Sequence, residues 1–200
     1  GEGAEVFSIK TLSQTALLKP PAHYSKQKGF VEVAFLKNRK EIWVSQMTTH
    51  TVHIFSLTDF SYLASIPVQG NWPKVITVSP DENRVFISNW ISEDISEISP
   101  SLRKVVRNIK TGGIPRGMAV TPDGKFLYAA IFSSGKIEKI RLSDYKTVKI
   151  LDFGKGSKRH MVLHPASQKL YISDMGRGSI FVVDLNEDRL LSEIPVDKKL

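Results

Sequence analysis

The chain repeats itself, and that repetition constrains its fold more than any other feature. Four segments superimpose almost without gaps. Phe35, Val78, Val120 and Leu163 are spaced 43, 42 and 43 residues apart. Ser45, Ser88, Ala130 and Ser173 keep the same intervals, as do Val52, Ile95, Ile137 and Ile180, and Ile66, Ile109, Leu151 and Ile194. Four separate positions holding one period mark a stacked or circular array rather than a single-core fold.

Each unit reads as four short strands. The first is an apolar stretch such as Met118-Ala119-Val120. A turn follows (Asp81-Glu82-Asn83, Asp123-Gly124-Lys125 or Ala166-Ser167-Gln168), preceded by Pro80, Pro122 or Pro165, where a fixed φ helps and a missing N–H costs little. The second strand, Val85–Ser88, Phe126–Ala129 or Leu170–Ser173, is apolar on both faces and should be covered on both. The third carries Ile137, Ile140 and Leu142 or Ile180, Val183 and Leu185, and the fourth follows the Leu63–Val68 pattern. β-Branched and aromatic residues dominate, and no helical period competes. Solenoids of leucine-rich or ankyrin type have shorter units, and helical arrays would show a 3.6-residue period. Four strands in about 42 residues describe the blade of an all-β propeller.

The units divide the chain into an incomplete blade and connector (1–28) and blades at 29–72, 73–114, 115–157 and 158–200. Val6–Ile9 resembles a third strand and Ala16–Leu18 a fourth, so the chain is expected to open in mid-blade. Leu200 aligns with Ser157, the residue before a new blade would begin. Leu170, Ile172, Ile180 and Val183 are as apolar as their interior counterparts, so the last unit has no polar capping face. About four and a half blades are expected, as part of a larger ring; a closed four-bladed ring is the alternative.

The segments PRGMAVTPDGKFLYAA, PKVITVSPDENRVFISN and KRHMVLHPASQKLYISD resemble the YVTN repeat of YncE-like bacterial propellers and archaeal surface-layer proteins. That resemblance covers residues 29–200 and implies a seven-bladed ring in an extracytoplasmic setting, periplasmic or at the cell surface. It is specific for fold and poor for function. The fourth unit departs from the repeat, with Lys158 for the leading Pro and Ala166-Ser167 for Asp-Gly; the first has Phe30 at the Pro position.

Propeller geometry brings the loops between strands four and one, and between strands two and three, to one face around the channel. Lys74, Arg116 and Arg159 recur there at intervals of 42 and 43, and His160 follows directly. Converging cations focus positive potential and draw an anion, and Arg offers a fork to carboxylate or phosphate. The competing reading pairs each cation with an acid, with Asp174, Glu93 and Asp94 as candidates. Trp72, Trp90 and Phe132 gather on the same face, either as a stacking platform or as loop packing. The expected ligand-binding residues at the channel mouth are therefore Lys74, Arg116, Arg159, His160, Trp72, Trp90 and Asp174.

Composition narrows the chemistry. The 28 Lys and Arg exceed the 20 Asp and Glu, a net charge of +8. The densest basic stretch, Lys155 to Arg159, reads as solvated surface. With no Cys there are no disulfides, thiolate metal sites or Cys nucleophiles. His50, His53, His160, His164 and His23 show no metal-ligand spacing, although His50 and His160 could meet on the upper face. There is no Gly-x-Ser-x-Gly elbow and no Gly-rich loop leading into a helix. No cofactor, metal or catalytic residue is assigned, and no apolar run is long enough to span a bilayer. The expectation is a non-enzymatic binding or scaffold module whose partner is a protein or an anionic ligand, with nucleic acid weakly supported. The alternative is an enzyme of lactonase, lyase or quinone-dependent dehydrogenase type completed by residues from further blades, with His160, Asp174 and Glu93 as its candidates here.

Overall fold

The computed structural model describes residues 2–164 and 166–196, so the turn position Pro165 and the alignment of Leu200 lie outside the described residues. Strands β1 (Ala4–Phe7) and β2 (Gln14–Leu18) form a two-stranded antiparallel sheet. A four-residue helix, α1 (Ala22–Ser25), lies in the connector and begins after Pro21. It was not expected, because one turn is too short to show a hydrophobic period.

Four four-stranded sheets follow. The first holds β3 (Phe30–Leu36), β4 (Glu41–Gln46), β5 (Thr51–Ser56) and β6 (Tyr62–Pro67). The second holds β7 (Pro73–Val78), β8 (Val85–Asn89), β9 (Asp94–Ser99) and β10 (Lys104–Lys110). The third holds β11 (Pro115–Val120), β12 (Phe126–Ile131), β13 (Lys136–Arg141) and β14 (Lys146–Leu151). The fourth holds β15 (Lys158–Leu163), β16 (Lys169–Asp174), β17 (Ser179–Asp184) and β18 (Arg189–Pro195). Strands within each sheet lie in chain order and antiparallel. The first strands β3, β7, β11 and β15 stand side by side in succession.

The sheets are held face to face. Trp43, Val52, Ile54 and Ile66 of the first pack on Val85, Ile87 and Ile98 of the second. Phe86, Ile95 and Ile109 of the second pack on Leu127, Ala129 and Ile140 of the third. Tyr128, Ile137 and Leu151 of the third pack on Leu170, Ile172 and Val183 of the fourth. The aromatics Trp43, Phe86 and Tyr128 occupy one repeat position and each enters the next sheet. Strands β4 and β8 are accordingly buried throughout. The far face of the fourth sheet differs: Val162 is 66% exposed and Ile194 44%, where Ile66, Ile109 and Leu151 are buried. The residues expected to stand bare are not the ones that do: Leu170, Ile172 and Val183 are fully buried against the third sheet, because each sheet packs its second and third strands on the sheet before it.

A second set of contacts closes the seams, and the sequence reading did not foresee it. Phe60, Arg103, Tyr145 and Asp188 hold one repeat position in the turn before the fourth strand, each with φ between 48° and 61°. That left-handed conformation is uncommon for non-glycine residues. Each reaches the preceding sheet. Phe60 packs with Leu18 and Ile42. Arg103 Nη2 donates to Glu41 Oε1 at 3.0 Å. Tyr145 Oη accepts from Arg84 Nη2 at 3.1 Å. The Asp188 carboxylate accepts from Tyr128 Oη and, at 2.8 Å, from Lys139 Nζ. Leu12 holds the equivalent turn of the β1–β2 hairpin, also at positive φ, and is 83% exposed.

Asp188→Ala would leave the Tyr128 hydroxyl and the Lys139 ammonium without an acceptor in a buried seam. We expect a loss of about 3 kcal/mol, against a change within about 0.5 kcal/mol for Leu12→Ala, both read by denaturant unfolding.

Candidate functional site

The site is built on irregularities in the first strands. In three sheets the register between strands one and two breaks at the same place: between Pro73 and Ile76, between Pro115 and Met118, and between Lys158 and Met161. Lys74, Arg116 and Arg159 sit inside these interruptions, each followed by a second unpaired residue: Val75, Gly117 or His160. In the first sheet the break falls between Phe30 and Glu32, at Val31. A bulge bends its strand and re-aims a side chain. Here it aims one cation per sheet into a common cleft. Serines secure it: Ser88 Oγ accepts the Val75 N–H at 3.0 Å, and Ser173 Oγ accepts the His160 N–H at 3.1 Å. Gly117 is required by close approach, since a Cβ there would lie 2.6 Å from the Arg159 carbonyl oxygen.

The cleft holds about 320 Å³ and is lined by Val31, Glu32, Lys74, Val75, Arg116, Arg159 and His160. Four expected residues thus come together, and Glu32 joins them unforeseen. Its only sequence signal was its place 43 residues before Val75, in a position whose occupants share no chemistry.

The cations rest on soft side chains rather than on carboxylates. Lys74 Nζ stands 3.8 Å over the Trp90 ring. Arg116 lies 5.2 Å from Trp90 and 5.5 Å from Phe132. Arg159 Nη1 approaches Met175 Sδ at 3.5 Å. Trp90, Phe132 and Met175 are themselves one repeat position, sixteen residues after the cations they support. Cation–π contacts of this kind contribute roughly 0.5–2 kcal/mol each. Among the described residues, none of the three cations forms a salt bridge. Crowding shows in their ionisation. Burial, then the Arg116 and Arg159 charges, lower the Lys74 pKa. Burial and Arg159 lower that of Arg116, against the pull of Glu32. Burial and the two guanidiniums lower that of His160, which favours the neutral ring. Burial raises the Glu32 carboxyl, with Arg116 opposing.

Other expected members of the site sit elsewhere. Trp72 is not among the residues lining the cleft; it adopts φ 63° on the surface, and its backbone N–H donates to His50 Nδ1 at 3.1 Å. His50 is not among the residues lining either cleft that His160 borders. Trp90 belongs to the site as a support beneath cations, with its face already covered. Asp174 borders a neighbouring cleft with Arg159 and His160, but its carboxylate serves the sheet. It accepts from Lys158 Nζ at 2.8 Å, and from the Ser157 and Arg177 N–H groups. Asp94 bonds Asn89, Ser92 and Asn108 and pairs with Lys110. Neither acid neutralises the cleft.

Lys158 corrects the reading of the basic stretch as solvated surface. Its side chain is completely buried, paired with Asp174, bonded to the Gly154 carbonyl at 3.2 Å and 4.6 Å from the Phe181 ring centroid. Burial alone would raise the Asp174 carboxyl; the Lys158 and Ser157 hydrogen bonds hold it below its ordinary value. His53 is equally committed to structure. Its Nε2–H donates to Gln46 Oε1 at 2.9 Å and its Nδ1 faces Ser65 Oγ at 2.7 Å, while Gln46 Nε2 donates to the Tyr24 and Gln27 carbonyls and so docks α1. Burial, aided by His23, pushes the His53 pKa down to about 4. Among the described residues, no group of three or more His, Asp and Glu could hold a metal ion, and no helix is long and apolar enough to cross a membrane.

Comparison with known proteins places this geometry in context. No family model matches the chain. Antigen Lp49 of Leptospira interrogans serogroup Icterohaemorrhagiae serovar copenhageni is 38% identical over 204 residues, an alignment covering 99% of this chain and 44% of that protein. The chain thus spans less than half the length of this relative. A solved structure of Kuenenia stuttgartiensis hydrazine synthase superimposes with a TM-score of 0.75 at 20% identity, over 83% of this chain and 49% of that one. That likeness is one of fold. With the four stacked sheets, these relationships describe a repeat fold of β-propeller type.

Two outcomes test the buried groups. Lys158→Ala should cost about 3–5 kcal/mol, because Asp174 is left as a buried, uncompensated charge; Lys158→Ala/Asp174→Ala should recover part of it, both read by denaturant unfolding. His53 binds a proton less readily folded than unfolded, so its contribution is intact above about pH 6.5 and is lost as pH falls toward about 4. Urea midpoints should decline across that window, and less steeply in His53→Gln.

Proposed function

We propose that the chain forms part of a non-enzymatic binding propeller whose channel mouth receives an anionic ligand. One observation carries this: Lys74, Arg116 and Arg159 are aimed by equivalent bulges into one cleft and held on Trp90, Phe132 and Met175, with no salt bridge among the described residues. Aromatic and thioether supports fix the cations without spending their charge, which stays available to a partner. Glu32 partly offsets the charge of Arg116.

We extend the reading to the whole assembly. The units 29–72, 73–114, 115–157 and 158–200 act as blades following the incomplete one at 1–28, within a ring of seven of the YVTN/YncE-like kind, placed in a periplasm or at a cell surface. The exposed Val162 and Ile194 of the fourth sheet and the greater length of the Lp49 relative support the larger ring. The resemblance of the repeat supports the extracytoplasmic setting.

A second reading rests on Glu32 and His160, an acid and a base sharing the cleft. It makes the protein a propeller enzyme of lactonase or lyase type. A lactone-hydrolysis screen on the full-length protein, with Glu32→Gln as control, separates the two: turnover lost in the variant replaces the binding reading.

The binding reading is tested with Lys74→Met, Arg116→Met and Arg159→Met combined, which keeps the apolar stems. Titration calorimetry with phosphate, sulfate and citrate should show affinity lower by about tenfold or more, equivalent to about 1.4 kcal/mol, and a salt dependence that disappears. Unchanged binding of all three anions removes the proposal.

A further inference from the structure

The cleft has features that narrow the anion it would take. The three cations come from three successive first strands, β7, β11 and β15, and therefore approach from three directions around the axis. The two guanidiniums are not saturated. Arg116 Nε and Arg159 Nε are buried and find no hydrogen-bond acceptor among the described residues. Other arginines here use theirs: Arg84 Nε donates to Glu97 at 2.7 Å, and Arg141 Nε to Asp144 at 3.1 Å. A guanidinium donates in pairs along an edge, and the Nε edge fits two oxygens of one acceptor group. Two such edges and an ammonium ask for an acceptor with at least three oxygens facing different ways. A carboxylate has two oxygens in one plane; a tetrahedral phosphate has three that do not lie in line. Charge agrees: three cations against one carboxyl leave two positive charges with Glu32 ionised. A cleft of about 320 Å³ has room for more than a bare phosphate, and Val31 and Val75 supply apolar wall.

We propose that the channel mouth is a site for a small phosphate monoester, its dianionic phosphate held by the Nε edges of Arg116 and Arg159 and by Lys74, and its organic body lying toward Val31 and Val75. This rests on the anion-binding reading above and names its ligand class. His160 borders the same space, where its ring can share a hydrogen bond with the phosphate or the ester body. Burial raises the Glu32 carboxyl, with Arg116 opposing, so its charge offsets the cations less than an exposed carboxylate would. Trp90 and Phe132 hold the Lys74 ammonium and the Arg116 guanidinium beside the cleft, and a turn of each guanidinium brings its buried Nε edge to the ligand.

The test uses the full-length protein and calorimetric titration with four probes: glycerol 3-phosphate, inorganic phosphate, succinate as a dicarboxylate, and dimethyl phosphate as a monoanionic diester. Glycerol 3-phosphate should bind at least tenfold more tightly than succinate or dimethyl phosphate. Arg116→Lys and Arg159→Lys keep the charge and remove the edge, and each should weaken glycerol 3-phosphate about tenfold with an unchanged unfolding midpoint. Lys146→Gln, on the exposed strand β14, should change nothing. Succinate binding as well as glycerol 3-phosphate, with both lost in the triple Met variant, overturns the phosphate assignment and leaves the anion-binding mouth standing. Absence of binding by all four probes, or binding indifferent to every mouth substitution, overturns both. Should one lysine variant fail to fold, the other decides the matter.

Discussion

Everything in this molecule depends on one sheet face being pressed against the next. No single sheet has a core of its own. Trp43, Phe86 and Tyr128 each bury an aromatic ring in the following sheet, and rows of Val and Ile close around them. Aromatic and branched side chains on pleated surfaces supply large apolar area with little rotamer entropy to lose. Because each sheet contacts its neighbours in sequence, stability is a chain of local interfaces. The first strands are thereby brought side by side, and a feature repeated along the sequence becomes a feature repeated around an axis. The cation cleft is a consequence of that conversion.

The mouth shows how a repeat acquires chemistry. A regular strand would have given Lys74, Arg116 and Arg159 places set by the pleat alone. In these three sheets the bulges each release two residues from pairing, and Ser88 and Ser173 accept the Val75 and His160 N–H groups so released. Supports then appear at a fixed distance along the chain. The result is a positive cleft whose cations are oriented by polarizable surfaces. Carboxylate partners would have oriented them equally well and cancelled them.

Much of this was legible in the amino-acid order. The four-strand unit and the columns Phe35 to Leu163 or Val52 to Ile180 announced themselves, since burial selects the same residue types at each turn of the repeat. The basic column was visible for the same reason. Glu32 was not, because Glu32, Val75, Gly117 and His160 share a position and no chemistry. Nor was the burial of Lys158: a lysine among lysines looks like surface, and only the register of β15 against β16 puts Asp174 opposite it. Asp174 was visible as a charge near Arg159 and His160, with which it borders a cleft, but not as the partner of Lys158. Helix α1 escaped because one helical turn leaves no periodic trace.

The left-handed turn residues carry one more implication. Position by position, the same backbone geometry delivers a phenyl ring, a guanidinium, a phenol and a carboxylate to the sheet before it. Each receiving surface is matched to its own visitor: Glu41 to Arg103, Arg84 to Tyr145, Lys139 to Asp188. The seams are therefore keyed. Modules that look alike in their cores are not interchangeable at their joints, so shuffling the order of units, or docking one copy's sheet onto another's, would set acid against acid or charge against oil. The repeat supplies sameness where packing needs it, and these four residues write the order in which the pieces go together.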